Sequence, residues 1–437
     1  MLQLACDRSE SSALLTSYHC SISGADVMVE PVTKSAAGLD VHKMMVMATV
    51  IVEQEDGSLF QQTREFNTFK KGRRAMCQWL QGHAIEYIVL ESTGIYWKSI
   101  YAALEDANLH AHVVNARHVK QVPGRKTDVL DSQWLASLAR FGLLRPSFIP
   151  PRDLRELRLI SRHRQKVDSM RSAEKNRLHK VLDDAGIRLG GVVSDINGVS
   201  SRRIIEGLVA EESIEELMKH VRGRLKAKIP QLKESVDEVL TERHRYLLKT
   251  IQDHIKFLEH SIEEMDQKLY AAMEPYQQAW QLLQTIPGVD RWSATAILIE
   301  IGTDMSQFGN IQQFSSWAGV CPGNNESAGK RKSGKTRKGN RSLRRSLCEV
   351  ANAASRTTSQ FKGKYQGLVI RRGHKRTIIA LAHKILRIIY SMLKNMQPYR
   401  DPEIDYEAMV VAKNASRWMK KLREFGYLPQ LAQPQTT

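Results

Sequence analysis

AGLDVHKMMVMATVIVE, residues 37–53, is the stretch on which the fold turns. It is apolar and rich in β-branched residues, with one acid, Asp40, near its start and another, Glu53, at its end. Such a run reads as a buried strand. EDGS at 55–58 then turns the chain, and LFQQTREF at 59–66 reads as a strand coming back. Working outward, GRRAMCQWLQGH (72–83) has the spacing of a helix and EYIVLEST (86–93) that of a short buried strand. IYWKSIYAALEDANL (95–109) reads as a helix, HAHVVN (110–115) as a strand, and DVLDSQWLASLARFGLL (128–144) as a helix. Strands interleaved with helices predict a mixed α/β domain over 36–145. Residues 1–35 have no clear period and read as a loose N-terminal extension.

RPSFIPP at 145–151 is a proline-punctuated linker. Residues 152–280 read as a helical arm. Within it Leu240, Leu247, Ile251, Ile255, Leu258, Ile262, Met265 and Leu269 recur at heptad-like intervals. That spacing suits a long helical hairpin, a coiled coil or one arm of a bundle. Residues 281–400 read as a mainly α C-terminal domain, and 401–437 as a peripheral tail.

The chain of 437 residues carries 65 Lys and Arg against 47 Asp and Glu, a net charge of +18. A surplus of that size favours polyanions. No apolar run reaches the roughly 20 residues that span a bilayer, so nucleic acid is the expected partner rather than a membrane. The N-terminus lacks the pattern of a secretory signal. Five scattered cysteines without a CxxC pair argue against a disulfide scaffold or a zinc site, and for a reducing cytoplasm.

Four acids in the first domain stand out. Asp40 lies in the first strand, Glu91 at the end of YIVLE, and Asp128 and Asp131 three apart at a helix start. An i, i+3 pair shares a helix face, and strand C-termini converge with helix starts at one edge of an α/β layer. Two like charges about 4 Å apart cost about 4 kcal/mol at an effective dielectric of about 20. A cluster of four therefore makes sense around a hard cation, with Mg²⁺ first among them. Two such ions could clamp the attacking and leaving oxygens of a phosphodiester. Taken singly, Asp128 is also a good helix N-cap, Asp131 a favourable first-turn charge, and Asp40 a partner for Lys43 or an Arg. His42 reads as a strand-end polar residue, and Trp97, Trp134 and Trp317 as core.

CPGNNESAGKRKSGKTRKGNRSLRR, 321–345, holds nine Lys and Arg from Lys330 to Arg345 and no acid among them. Lys330, Arg331, Lys332, Lys335, Arg337, Lys338 and Arg341 would hold a nucleic-acid backbone and offset charge developing on phosphorus. Ser327, in a turn-forming NNESAGK, could present its hydroxyl to that backbone; Ser333 and Ser342 are candidates on the same logic. LLQTIPGVDRWSATAILIEIG (282–302) resembles a helix-hairpin-helix. Gly288 there supplies the permissive backbone, with amides that could take a phosphate; the bland alternative is a structural helix turn.

GLDVHK, LESTGIYW and KTDVLDSQWLA, in that order, together with SWAGVCPGNNESAGKRKSGKTRKGNRSLRRSL, resemble a family of bacterial insertion-sequence transposases. That family pairs a RuvC-like DEDD domain with a catalytic serine, is related to the Piv DNA invertase and includes the bridge-RNA-guided recombinases. The resemblance runs from about residue 36 to about 395. It implies an RNase H-like (RuvC-like) first domain with Asp40, Glu91, Asp128 and Asp131 as catalytic metal ligands for Mg²⁺. It implies Ser327, the serine before a small residue, Gly and Lys, as the nucleophile. It further implies a phosphoserine intermediate and a site composed from the acids of one subunit and the serine of another. The partners it implies are DNA, a structured bridge RNA and further copies of the chain, as a dimer and a tetrameric synapse. The setting it implies is a bacterial cytoplasm, at the nucleoid. On the residues alone two other readings stay open: a metal-dependent, junction-resolvase-like nuclease that does not use Ser327, and a non-catalytic nucleic-acid scaffold.

Overall fold

The apolar segment at 37–53 is two strands. In the computed structural model, β3 (Ser35–Val41) runs into β4 (Met45–Glu53) through His42, Lys43 and Met44. His42 N–H donates to the Met45 carbonyl (2.9 Å) to close the hairpin. None of the three is a Gly, Pro or Asn, so nothing in the sequence punctuates this turn. The structure describes residues 18–22, 25–91, 94–115, 119, 128–323, 325–327, 329–336, 338–402 and 406–428. The chain divides into two units, Met1–Ile149 and Pro150–Thr437.

In the first unit, β1 (Tyr18–Ile22) and β2 (Ala25–Val29) pair antiparallel, where the sequence predicts a loose extension. Their Ile22, Val27 and Val29 favour strand, but ten residues are too short a stretch for a period to register. The main sheet adds β5 (Leu59–Asn67), β6 (Tyr87–Glu91) and β7 (Ala111–Val114) in the order β5-β4-β3-β6-β7. β3, β4 and β5 form an antiparallel meander, while β6 and β7 run parallel to β3. Alternation on β3 assigns its two faces. Ala37, Leu39 and Val41 join Ile88 and Leu90 under α1 (Lys70–Gly82) and α2 (Trp97–Asp106). Ala36 and Val89 face the other way, against Leu135, Leu138 and Ala139 of α3 (Asp128–Arg140). Trp97 and Trp134 pack half-buried against these two cores.

The second unit is mainly helical. α4 (Arg152–Asp184) and α8 (Glu242–Ala271) lie antiparallel, as Arg164–Asp266 at one end and Asp184–His244 at the other require. They are the long helical hairpin expected from the heptad spacing, formed within one chain. Leu248, Ile251, Ile255, Leu258, Ile262 and Leu269 are buried in it, whereas Leu247 is 41% exposed and lies off the seam. Between the two helices, α5 (Val199–Val209), α6 (Ile214–Lys219) and α7 (Ile229–Ser235) form a cap with a core of its own at the hairpin tip. The remainder comprises α9 (Gln277–Gln284), α10 (Arg291–Ile301), α11 (Ile311–Ala318), α12 (Arg341–Ala354), α13 (Gln360–Arg372), α14 (His374–Asn395) and α15 (Tyr406–Glu424). α14 is the central apolar post, burying Leu381, Ile385, Leu386 and Ile389 against its neighbours. Half-buried Trp317 stacks with Phe314 beside it. Between α11 and α12 the chain leaves the helical body as a two-stranded arm, β8 (Asn325–Ser327) and β9 (Lys330–Ser333). No helix among the described residues is long and apolar enough to cross a membrane.

Candidate functional site

The acids of the first unit are arranged by one close approach. A Cβ on Gly38 would lie 2.2 Å from the Ser132 carbonyl oxygen and 2.4 Å from the Ala136 nitrogen, so α3 rests directly on β3 there. Ser132 Oγ also hydrogen-bonds Thr49 Oγ1 (2.8 Å), a buried bond that ties the first turns of α3 to β4. Along β3 the residues facing α3 are Ala36, Gly38 and then Asp40. Ala36 meets the far end of α3 at Leu138 and Ala139, and Gly38 meets Ser132 and Ala136. The helix thus runs antiparallel to the strand, and the next position, Asp40, falls toward the helix start, where Asp128 and Asp131 sit. On β6, Tyr87 and Val89 face α3, and Glu91 follows on that face at the strand's C-terminal end. The parallel register pairs Leu39 with Leu90, which sets Asp40 and Glu91 beside each other.

Register and helix direction therefore bring Asp40, Glu91 and the first turn of α3 to one edge of the sheet. The side chain of Asp128 lies outside the described residues. Among the described residues no three His, Cys, Asp or Glu stand together as a metal-holding group. The donor set is all carboxylate oxygen, which suits a hard cation such as Mg²⁺. Asp40 is 13% exposed, and its Oδ2 accepts from His42 Nε2 at 2.9 Å. His42 is thus attached to the acid edge as well as ending the strand.

In the second unit Ser327 closes β8 and pairs with Lys330, the first residue of β9. The segment predicted as a turn is therefore a hairpin, with Gly329 in its corner at φ +72°. The Ser327 side chain lies outside the described residues, as do those of Arg331, Lys332 and Arg337. Lys330, Lys335, Lys338 and Arg341 are exposed and make no ion pair among the described residues. The other two serines make hydrogen bonds of their own. Ser342 Oγ donates to Gln165 Oε1 on α4 (2.6 Å), and Ser333 Oγ accepts from the Lys335 N–H (3.2 Å).

The foot of the arm is tightly built. Gly323 N–H donates to the Lys335 carbonyl (2.9 Å), and Pro322 bridges to Thr336. A Cβ on Gly339 would lie 2.4 Å from the Gly319 nitrogen and 2.5 Å from the Trp317 oxygen, so the two ends of the arm touch backbone to backbone. Asn340 then caps α12 by accepting from the N–H groups of Ser342 and Leu343. Its Nδ2 donates to Glu300 Oε2 (2.6 Å). Glu300 is 1% exposed and receives Arg162 through both oxygens, at 2.8 and 2.9 Å, and Arg158 at 3.2 Å. Burial pushes the Glu300 carboxyl up, but Arg162, Arg158 and Asn340 together hold it below the ordinary glutamate range. Burial brings Arg158 down to about 10, against the pull of Glu300, so it stays charged at neutral pH. Sequence reasoning missed this clamp. Its signal was available: Glu300 is the single acid in the otherwise apolar run ATAILIEI, and such an acid is rarely buried without a partner.

α9 and α10 make a helix–turn–helix around IPGVD. Gly288 has φ +89°, and its Cα faces α12, where a Cβ would lie 2.5 Å from the Ala354 nitrogen. Asp290 already caps α10, accepting from Ser293 N–H at 2.8 Å. A carboxylate thus stands where a phosphate at that helix start would go. A cleft of about 340 Å³ lined by Asn310, Ile311, Tyr390 and Lys394 contains neither the acids nor the arm.

Comparison with known proteins gives a consistent result for both units. Residues 37–187 match a model described as a transposase, of the DEDD type of IS110. Residues 280–366 match the transposase IS116/IS110/IS902 family model. Together the two matches cover more than half of the chain. The transposase for insertion sequence element IS1111A of Coxiella burnetii is 24% identical over 323 residues, which is 72% of this chain and 79% of that protein. Among solved structures, Thermus thermophilus RuvC is similar at 13% identity and TM-score 0.21, over 26% of this chain and 99% of that one. The same RuvC in complex with a Holliday junction substrate gives 12% and 0.20 over the same shares.

Proposed function

The chain belongs to the IS116/IS110/IS902 family of insertion-sequence transposases, enzymes that cut and join DNA, and from that premise we propose that it works by serine transesterification assisted by a metal-binding acid cluster. The carrying observation is the β8–β9 arm. It ends its first strand on Ser327 and carries exposed Lys330, Lys335, Lys338 and Arg341, which pair with no acid among the described residues.

Ser327 Oγ forms a bond to the scissile phosphorus as the bond from phosphorus to the departing sugar oxygen breaks. The serine proton leaves to a base, and the departing oxygen takes one up. Rejoining reverses this, with a free sugar hydroxyl attacking the phosphoserine, so one phosphodiester is exchanged for another and no nucleotide cofactor is consumed. The arm's cations, with Arg331, Lys332 and Arg337, hold the strand and offset charge on the non-bridging oxygens. Asp40, Glu91, Asp128 and Asp131 would hold Mg²⁺, which supplies a Lewis acid to the attacking and departing oxygens. The convergence of β3, β6 and α3 at one edge supports that assignment. His42 holds Asp40 in place.

The acids and the serine belong to separate units. Following the family resemblance, the reading includes a composite site, in which the acids of one subunit serve the serine of another within a dimer or tetramer. A structured guide RNA fits the charge of +18. The Gly288 turn enters this reading as a packing contact to α12, with Asp290 in the place of a phosphate.

Covalent trapping tests the reading. The full-length protein, incubated with its flanking DNA and RNA and then denatured, should carry DNA on the peptide containing Ser327. The adduct should vanish in Asp128→Ala and with chelator. Mg²⁺-dependent nicking that survives Ser327→Ala, without an adduct, would mean a nuclease instead.

A further inference from the structure

Between Val350 and Arg400 the chain carries eleven Lys and Arg and no Asp or Glu. This second acid-free stretch is built into two packed helices, α13 and α14. Most of its cations, Arg387 among them, are exposed, but Lys362, Lys364 and Lys384 are half-buried, as is His383. Arg387 lies one turn beyond His383 on the same face of α14. Burial lowers the Lys364 ammonium and the Arg387 charge adds to this; burial, Arg387 and Lys364 in that order lower His383. Lys384 donates to Gln360 Oε1 and feels Asp401. Lys364 and Arg387 have no carboxylate partner among the described residues. A half-buried ammonium beside an exposed guanidinium, neither with a carboxylate of its own among the described residues, is an unfavourable arrangement. An anion supplied from outside would relieve it.

The position of the cluster says which anion. His383 Nε2 is 3.7 Å from Cys321 Sγ, and Cys321 stands at the foot of the arm. Ser327 is six Cα steps along the chain from Cys321, at most about 20 Å when extended. That reach corresponds to about six steps of a duplex rising roughly 3.4 Å each. A DNA strand lying along the arm would place backbone phosphates at both ends of it.

We propose that Lys364 and Arg387, with His383 anchoring the arm through Cys321, form a phosphodiester clamp. The clamp holds the DNA strand a few nucleotides from the phosphate that the arm presents to Ser327. The location of the strand rests on the serine reading; the binding itself does not require Ser327.

The test uses the full-length protein, a random-sequence DNA duplex and an RNA hairpin of equal length. Affinity is measured by anisotropy across a salt series. K364Q/R387Q should bind the duplex more weakly and make the salt slope shallower by about 2, one for each phosphate that is no longer neutralised. K364R/R387K, which keeps both charges, should retain the slope, and each variant's unfolding midpoint is measured alongside. An unchanged slope on DNA in a folded K364Q/R387Q overturns the clamp, and a weakening seen only with RNA overturns its assignment to DNA. Duplex binding is expected to persist in Ser327→Ala. A missing Ser327 adduct with a normal K364Q/R387Q effect therefore refutes the serine reading and leaves the phosphate site standing.

Discussion

At Gly38 the helix carrying Asp128 and Asp131 comes within contact of the strand carrying Asp40. Gly38→Ala would put a methyl 2.2 Å from the Ser132 carbonyl oxygen and 2.4 Å from the Ala136 nitrogen, and both are backbone atoms. α3 would have to lift from the sheet. The expected cost is about 1–3 kcal/mol of stability, together with loss of the DNA cleavage that the proposed reading assigns to these acids, because they move apart. Thermal unfolding and a cleavage assay on the same preparation check both, and retained cleavage would mean that this approach does not set the acid edge. The placement of the acids was legible in the sequence: strand ends and a helix start are what period and capping chemistry predict. The role of Gly38 was not, because a glycine in a strand marks close approach without naming the approaching element.

The clamp around Glu300 connects elements distant in sequence: α4 through Arg158 and Arg162, α10 through Glu300, and α12 through Asn340. Removing the carboxylate leaves two guanidiniums without their acid. Glu300→Gln should therefore cost about 3–5 kcal/mol at neutral pH. The sign with pH follows from the lowered carboxyl. A carboxyl depressed on folding stabilises above the ordinary glutamate range, and that stabilisation is lost as pH falls through its folded value. The gap between wild type and Glu300→Gln should thus narrow on acidification below about pH 4, as urea unfolding at neutral and acid pH would reveal. A gap independent of pH would mean that packing, not charge, carries the effect. The elements themselves were largely readable from periodicity. The turn at 42–44 was hidden because its residues are apolar or charged rather than turn-forming. Heptad counting placed Leu247 in the seam, where the structure buries Leu248 instead. The acid-free stretch from 350 to 400 was open to view but lay in shadow beside the denser run at 330–345.

For the molecule as a whole, charge makes a prediction that no single residue does. With a net +18 and two acid-free basic segments, DNA affinity should fall by about 10³–10⁵ between roughly 50 and 200 mM salt, the range for about 6–10 neutralised phosphates. Chelation should leave that binding curve in place while stopping cleavage. A curve that shifts with chelator would mean that metal contributes to holding DNA as well as to cutting it. A different consequence follows from the meeting of Gly339 with Gly319. Because the arm leaves and re-enters the helical body at one point, the body does not register how long the arm is. Doubling a closed loop costs only about 0.6 kcal/mol, so the fold itself leaves the arm's length free. What the arm must reach, rather than the frame that carries it, is what fixes its length.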